Sequence, residues 1–253
     1  MAGETIALFL ALLIGISLGA LGSGGSIVTL PILVYVAGVA PKSAIGMSMA
    51  IVGGTSCLGC YLHWRRGNFC ARTALVFGAT GILGAYIGST GTHLVSSPVL
   101  MLLFSFLMLV VGVRMIAVTA PIAPDCEGQL NRCIPAGFIV GLVTGFLGIG
   151  GGFLIVPALV WFAGLDVRRA IGTSLAIIAV NSASGLAGQL RYARWDWSLT
   201  GEILLCSLVG MGFGIVIANR CAERSLRRAF AVAVIGVGTA IAWQVLSHLS
   251  RSS

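Results

Sequence analysis

Residues Leu21–Pro31 read LGSGGSIVTLP, and residues Leu147–Pro157 read LGIGGGFLIVP: the same glycine cluster closed by the same proline, 126 residues later. Glycine inside a helix costs about 1 kcal/mol relative to alanine, so a second copy in a second apolar run implies a backbone requirement met twice. Sliding the chain over itself by that offset lays Gly15 on Gly141, Gly19 on Gly145, Gly24 and Gly25 on Gly150 and Gly151, Pro31 on Pro157, Gly38 on Gly164, Gly46 on Gly172 and Ser48 on Ser174. From Gly15 to Ile51, 17 of 37 positions are identical. The chain is an internal duplication.

The repeat sits in a membrane-like composition. Of 253 residues, 58% are hydrophobic and only 9% are charged, where a soluble domain carries about 25% charged residues. The mean hydropathy is +1.05. Continuously apolar stretches of span length predict a polytopic α-helical membrane protein rather than a β-barrel, whose strands alternate. The net charge of +8 comes from basic residues in short loops. That distribution fits orientation signals and anionic lipid headgroups, and no basic stripe or nucleic-acid motif accompanies it. The first apolar run, Thr5–Leu18, follows Glu4 with no Lys or Arg before it and has a counterpart deep in the chain. It reads as a span, not as a cleaved signal.

Each repeat divides into five apolar segments, about 5–22, 26–39, 43–62, 72–95 and 98–119 in the first and 133–149, 152–164, 169–190, 198–218 and 226–247 in the second. The expected organisation is a single transmembrane domain over residues 1–253: repeat 1 at about 5–119, a polar linker at 120–132 and repeat 2 at about 133–247. The second segment of each repeat has about 14 residues and rises about 21 Å, short of a hydrocarbon core of about 30 Å. It reads as a half-helix broken from its predecessor by the glycines. Charge then chooses between two topologies. If the broken pair makes one span, the basic residues split about evenly between the two sides. If the chain turns back at the glycines, the repeats are inverted, each a re-entrant helix pair plus three transmembrane helices. Arg65, Arg66, Arg72, Arg114, Arg132, Arg168, Arg169, Arg220, Arg224, Arg227 and Arg228 then share one side, leaving Lys42, Arg191, Arg194 and Arg251 on the other. The positive-inside rule favours the inverted arrangement, with both chain ends outside the cytoplasm. Two full crossings in place of each hairpin give the same sides.

Inverted repeats with broken helices place two helix ends near the membrane midplane. The N–H groups that open the short segments, at Ser26 and Gly152, have no partner within their helix, and the helix dipole adds partial positive charge there. Such an end binds an anion without a buried lysine or arginine. The predicted substrate-binding residues are Ser23, Gly24, Gly25, Ser26 and Ser48 from repeat 1 and Gly150, Gly151, Gly152, Thr173, Ser174 and Asn181 from repeat 2. Thr29 and Ser182 are further hydroxyl donors. Ser48 and Ser174 have a second reading, in which each bonds the helix turn behind it. Gly15, Gly19, Gly141 and Gly145, spaced by four within each repeat, read instead as close helix packing.

Seven cysteines, an odd number mostly within spans, argue against a disulfide scaffold. Cys57, Cys60 and His63 follow C-x2-C-x2-H spacing, but no second cluster completes four ligands, so no metal and no cofactor are expected. Few ionisable residues fall within spans, and those that do are functional candidates. Glu202 is the proton-coupling candidate, with His63 and His93 near span ends.

The two motifs GSGGSIVTLP (Gly22–Pro31) with AIGMS (Ala44–Ser48), and GIGGGFLIVP (Gly148–Pro157) with AIGTS (Ala170–Ser174), resemble the sulfite exporter TauE/SafE family, also called the 4-toluene sulfonate uptake permeases. The duplicated frame covers nearly the whole chain. The resemblance implies a multi-pass transporter of the bacterial inner membrane that carries sulfite, organosulfonates or related sulfur-containing anions. The first copy departs from the second, with Ser23 and Ser26 where the second has Ile149 and Gly152, which makes the two half-sites unequal. The expected function is secondary transport of a small sulfur-containing anion by alternating access. An anion channel, or a membrane scaffold or enzyme partner without transport of its own, is the alternative. No enzyme is expected, since the spans hold no clustered catalytic constellation, and no G-x-x-x-x-G-K loop for direct ATP drive occurs. The expected partners are a small anionic substrate and the lipid bilayer, not nucleic acid; a homo-oligomer remains open.

Overall fold

A computed structural model describes residues 2–22, 29, 32–39, 41–91, 97–117, 130–147, 152–189 and 196–252. Among these residues the chain forms nine α-helices and no strand. They are α1 (Ala2–Leu21), α2 (Pro41–Arg65), α3 (Ala71–Gly91), α4 (Ser97–Ala117), α5 (Leu130–Leu147), α6 (Gly152–Phe162), α7 (Val167–Gln189), α8 (Trp197–Arg220) and α9 (Glu223–Ser252). A π-helical turn, Ile32–Val36, lies between α1 and α2. The helices coincide with the expected segments to within a few residues at most ends. Trp197–Arg220 and Arg224–Trp243 are long and apolar enough to cross a bilayer. Large apolar side chains such as Phe9, Phe106, Phe138, Phe213 and Trp243 are exposed on the outside of the bundle, where a bilayer rather than water is the compatible solvent.

The duplication is visible in the backbone. Gly38 and Gly164 both have φ of +68°. Beside them the Val39 N–H donates to the Leu33 carbonyl at 2.9 Å, and the Leu165 N–H to the Leu159 carbonyl at 3.3 Å. These are the same six-residue closure at the same offset, the pattern in which a glycine in the left-handed region ends a helix. The segment before it differs between copies: α-helical in the second, a π-turn in the first. In α6 every residue from Leu154 to Val160 is buried, which explains a sequence apolar on all faces.

Four pairings carry the bundle: α3 with α5, α1 with α8, α4 with α9, and α2 with α7. Each joins one repeat to the other. The α1–α8 seam is a run of small residues. A Cβ on Gly15 would strike the Ser207 carbonyl, one on Gly210 the Leu12 carbonyl, and one on Gly214 the Ile16 carbonyl. The Ser207 hydroxyl donates to the Ala11 carbonyl at 3.0 Å. The α3–α5 seam repeats this arrangement 126 residues away. A Cβ on Gly141 would strike the Gly81 carbonyl, and one on Gly84 the Phe138 carbonyl. Gly15, Gly19 and Gly141 are therefore packing glycines, as expected. The offset relates Gly84 to Gly210 as well, so the duplication extends into α3 and α8.

Helix directions follow from these contacts. In α1–α8 and α3–α5 residue numbers rise together, so each pair is parallel. In α2–α7, Gly53 meets Ser182, Gly59 meets Leu175, and His63 meets Gly172, so the pair is antiparallel. The α4–α9 pair is antiparallel too: Gly112 meets Ile235, Gly238 meets Met108, and Arg227 donates to the Ile116 carbonyl at 3.5 Å. The C-terminal ends of α2, α4 and α8 and the N-terminal ends of α3, α5, α7 and α9 thus lie at one end of the bundle. That end carries Arg65, Arg66, Arg72, Arg114, Arg132, Arg168, Arg169, Arg220, Arg224, Arg227 and Arg228.

Candidate functional site

The described part of the site assembles where α1 ends. Gly22 closes α1, its N–H donating to the Leu18 carbonyl at 2.8 Å and its φ at +78°. A Cβ there would lie 3.0 Å from both the Ser174 hydroxyl oxygen and Ile171 Cγ2, so conformation and proximity both require glycine. The start of the first glycine break therefore abuts the AIG-x-S stretch of the other repeat. Gly172, next along α7, lies against the Asn68 carbonyl, and a Cβ on it would come 2.8 Å from His63 Cβ. Thr173 Oγ1 accepts from the Cys70 N–H at 3.2 Å. Gly22, His63, the Asn68–Cys70 loop and the run Gly172–Ser174 form one buried neighbourhood between the repeats.

Its position follows from the helices that bound it. α1 runs for 20 residues, about 30 Å, and reaches across the bundle before the break begins. Ser174 lies seven residues into α7, about 10 Å from the arginine-rich end. α1 therefore ends toward the arginine-rich end, beside Ile171 and Ser174 of α7, while Ser26, where the following short segment was expected to open, lies outside the described residues.

Of the predicted site residues, Ser23, Gly24, Gly25, Ser26, Gly150 and Gly151 lie outside the described residues. Gly152 is the buried first residue of α6. Thr173 and Ser174 are fully buried. The Ser174 hydroxyl donates to the Ile171 carbonyl at 2.8 Å, so it bonds the turn behind it, the second of its two expected readings. Ser48 is half-buried on α2, and Thr29 is buried. Asn181 is exposed two turns beyond Ser174, while its neighbour Ser182 packs on Gly53. Glu202 is exposed in the second turn of α8. That helix is capped by Asp196, whose carboxylate accepts from the Leu199 N–H at 3.1 Å.

At the arginine-rich end, Asp166 caps α7 by accepting from the Arg169 N–H at 2.7 Å and pairs with the Arg169 side chain at 3.5 Å. Arg168 donates to the carbonyls of Asn219 and Cys221 at 3.3 and 2.9 Å. Cys57, Cys60 and His63 run from exposed through half-buried to buried along α2, and no group of three potential metal ligands occurs among the described residues. Cys57, Cys60, Cys133, Cys206 and Cys221 are free. Cys70 is disulfide-bonded, which the odd count and the positions within spans did not suggest. Sequence reasoning gave His63 no place in the site. It is 1% exposed, and neither ring nitrogen has a hydrogen-bond partner. Its signals were an ionisable residue at the end of an apolar segment and the C-x2-C-x2-H spacing with Cys57 and Cys60.

A glycine-seamed bundle of apolar helices with large apolar side chains on its outside is consistent with a helical membrane protein. Residues 7–241 match the family described as sulfite exporter TauE/SafE, and the chain belongs to it. It is 38% identical over 248 residues to a "Probable membrane transporter protein" of Xylella fastidiosa, covering 94% of each chain. It is 25% identical over 213 residues to "Probable membrane transporter protein YdhB" of Bacillus subtilis, covering 82% of this chain and 87% of the other. A Methanocaldococcus jannaschii protein, "Probable membrane transporter protein MJ0441", is 29% identical over 195 residues and 72% of each chain. The family and these names point to a membrane transporter, not an enzyme.

Proposed function

We propose that the protein is a secondary transporter that moves a small sulfur-containing anion, such as sulfite or an organosulfonate, across the bacterial inner membrane by alternating access of two inverted repeats. The carrying observation is the exchange of packing contacts between repeats, together with the antiparallel α2–α7 pair. If corresponding helices of the two halves both cross the bilayer, antiparallel pairing means opposite orientation, the geometry in which one site opens to either side. The chain then returns between the end of α1 and the start of α2. The anion sits at the glycine-flanked N-termini of the short segments, where Gly152 opens α6 and where Gly22 leads into the first break beside Thr173 and Ser174. The substrate class is supported by the family description and by a site suited to negative charge without a buried cationic residue.

Binding is tested by thermal shift of the purified protein against a panel of anions. Sulfite or a sulfonate should raise the melting temperature of wild type in a concentration-dependent way, and the response should vanish in Gly25→Leu and in Gly151→Leu. A panel to which wild type is indifferent, or folded variants that respond like wild type, removes the site from the glycine breaks. Proteoliposomes separate transporter from channel: only a transporter accumulates anion above its gradient when driven. Orientation has its own test. The arginine-rich end lies in the cytoplasm under the positive-inside rule, so tags at both termini should report the periplasm; a cytoplasmic tag at either end refutes the inversion.

A further inference from the structure

His63 is the one described buried side chain whose two polar atoms both lack a partner, and it stands in the wall of the site. Its Cβ packs against Gly172 of the second AIG-x-S stretch, near Gly19 in the last turn of α1. A neutral imidazole offers one donor and one acceptor, whereas a protonated one offers two donors. The groups that face the ring decide which form this pocket can use. From α1 comes the backbone of Gly19, close enough to act on the ring without completing a hydrogen bond. Its carbonyl is in the last turn of the helix, where carbonyls lack intrahelical partners and the dipole is negative. His63 is itself in the last turn of α2, so two negative helix ends converge on it. Arg66, just past the end of α2, contributes the opposing positive charge. From α7 the residue against the His63 Cβ is Gly172, which carries no charge. One turn back, Arg168 is committed to the carbonyls of Asn219 and Cys221, and Arg169 to Asp166.

We propose that His63 is the proton-accepting group of the anion site, taking up one proton from solvent as the anion binds and releasing it when the anion leaves. This rests on the anion-site reading given above. In the empty site the ring is neutral. On binding, one N–H reaches the anion and the other the Gly19 carbonyl, an arrangement that needs two donors and therefore the imidazolium. Neither satisfied partner is available to a neutral ring at the same time. The net charge added to the site by a monovalent anion is thereby cancelled, and transport carries a proton with each anion.

Calorimetric titration of the detergent-solubilised protein tests this, using methanesulfonate, whose charge is constant over the range studied, in two buffers of different ionisation enthalpy. Wild type should take up about one proton per anion, and its affinity should weaken about tenfold per pH unit above the ring's titration. His63→Gln should bind at low pH as weakly as wild type does at high pH, with no proton uptake. His63→Asn serves where the glutamine variant does not fold. Anion binding by wild type without proton uptake overturns the coupling while leaving the anion site standing, as does a folded variant that keeps the pH slope. Absence of binding by any sulfur-containing anion in wild type overturns both.

Discussion

Replacing Gly210 with alanine is expected to destabilise the protein severely, whereas replacing Gly212, two residues along the same helix, is not. Both positions lose the same glycine penalty, so helix propensity alone predicts a gain of up to about 1 kcal/mol for each. The surroundings differ. A Cβ on Gly212 meets nothing within 4 Å, while one on Gly210 lands on the Leu12 carbonyl. Overpacking a core costs about 1–3 kcal/mol when side chains can move aside. A main-chain carbonyl in a continuous helix cannot, so the loss at Gly210 belongs at or above the top of that range. The same contrast holds between Gly84, against Phe138, and Gly236, which is open. Folded yield after extraction and melting temperature, measured side by side, check it. Equal melting of Gly210→Ala and Gly212→Ala would mean that α1 and α8 are not in backbone contact.

The second large effect concerns α2 and α7. A Cβ on Gly53 would lie 3.0 Å from Ser182 Cβ, and a disulfide asks for about 3.8 Å, which a slight separation of the helices supplies. With the five free cysteines replaced, the pair Gly53→Cys and Ser182→Cys should oxidise nearly to completion. Gly53→Cys with Ala176→Cys, six residues and about 9 Å away along α7, should not. Because this bridge ties one repeat to the other across the antiparallel pair, it should abolish anion flux in proteoliposomes, and a reductant should restore it. Full flux with the bridge formed would show that α2 and α7 do not move against each other during transport.

The sequence was most legible where backbone geometry leaves one residue type free to serve. Gly38 and Gly164 had to match because a left-handed helix stop tolerates little else, and Gly15 and Gly141 because only hydrogen fits against a facing carbonyl. Segment positions followed from apolar length, and the clustering of arginines at one end from their spacing in the loops. What depends on a side-chain rotamer, or on a partner far along the chain, was not legible. Whether Ser174 donates into the site or onto Ile171 depends on a rotamer. The isolation of the His63 nitrogens is a property of what surrounds them, not of the HWRR stretch in which His63 stands. Nor did any spacing rule place the Cys70 backbone on Thr173, 103 residues away.

The pairing of helices across repeats also sets a clock on biosynthesis. The Ser207 hydroxyl that fastens α8 to α1 bonds a carbonyl 196 residues upstream. At about 5–20 residues per second, the glycine face of α1 waits roughly 10–40 s after insertion before its partner is synthesised, and α3 waits for α5 over a shorter interval. For that time Gly15 and Gly19 present bare backbone to lipid or to the insertion machinery. A substitution in either seam therefore acts first on how long a half-made chain survives, before any finished molecule exists to be unstable.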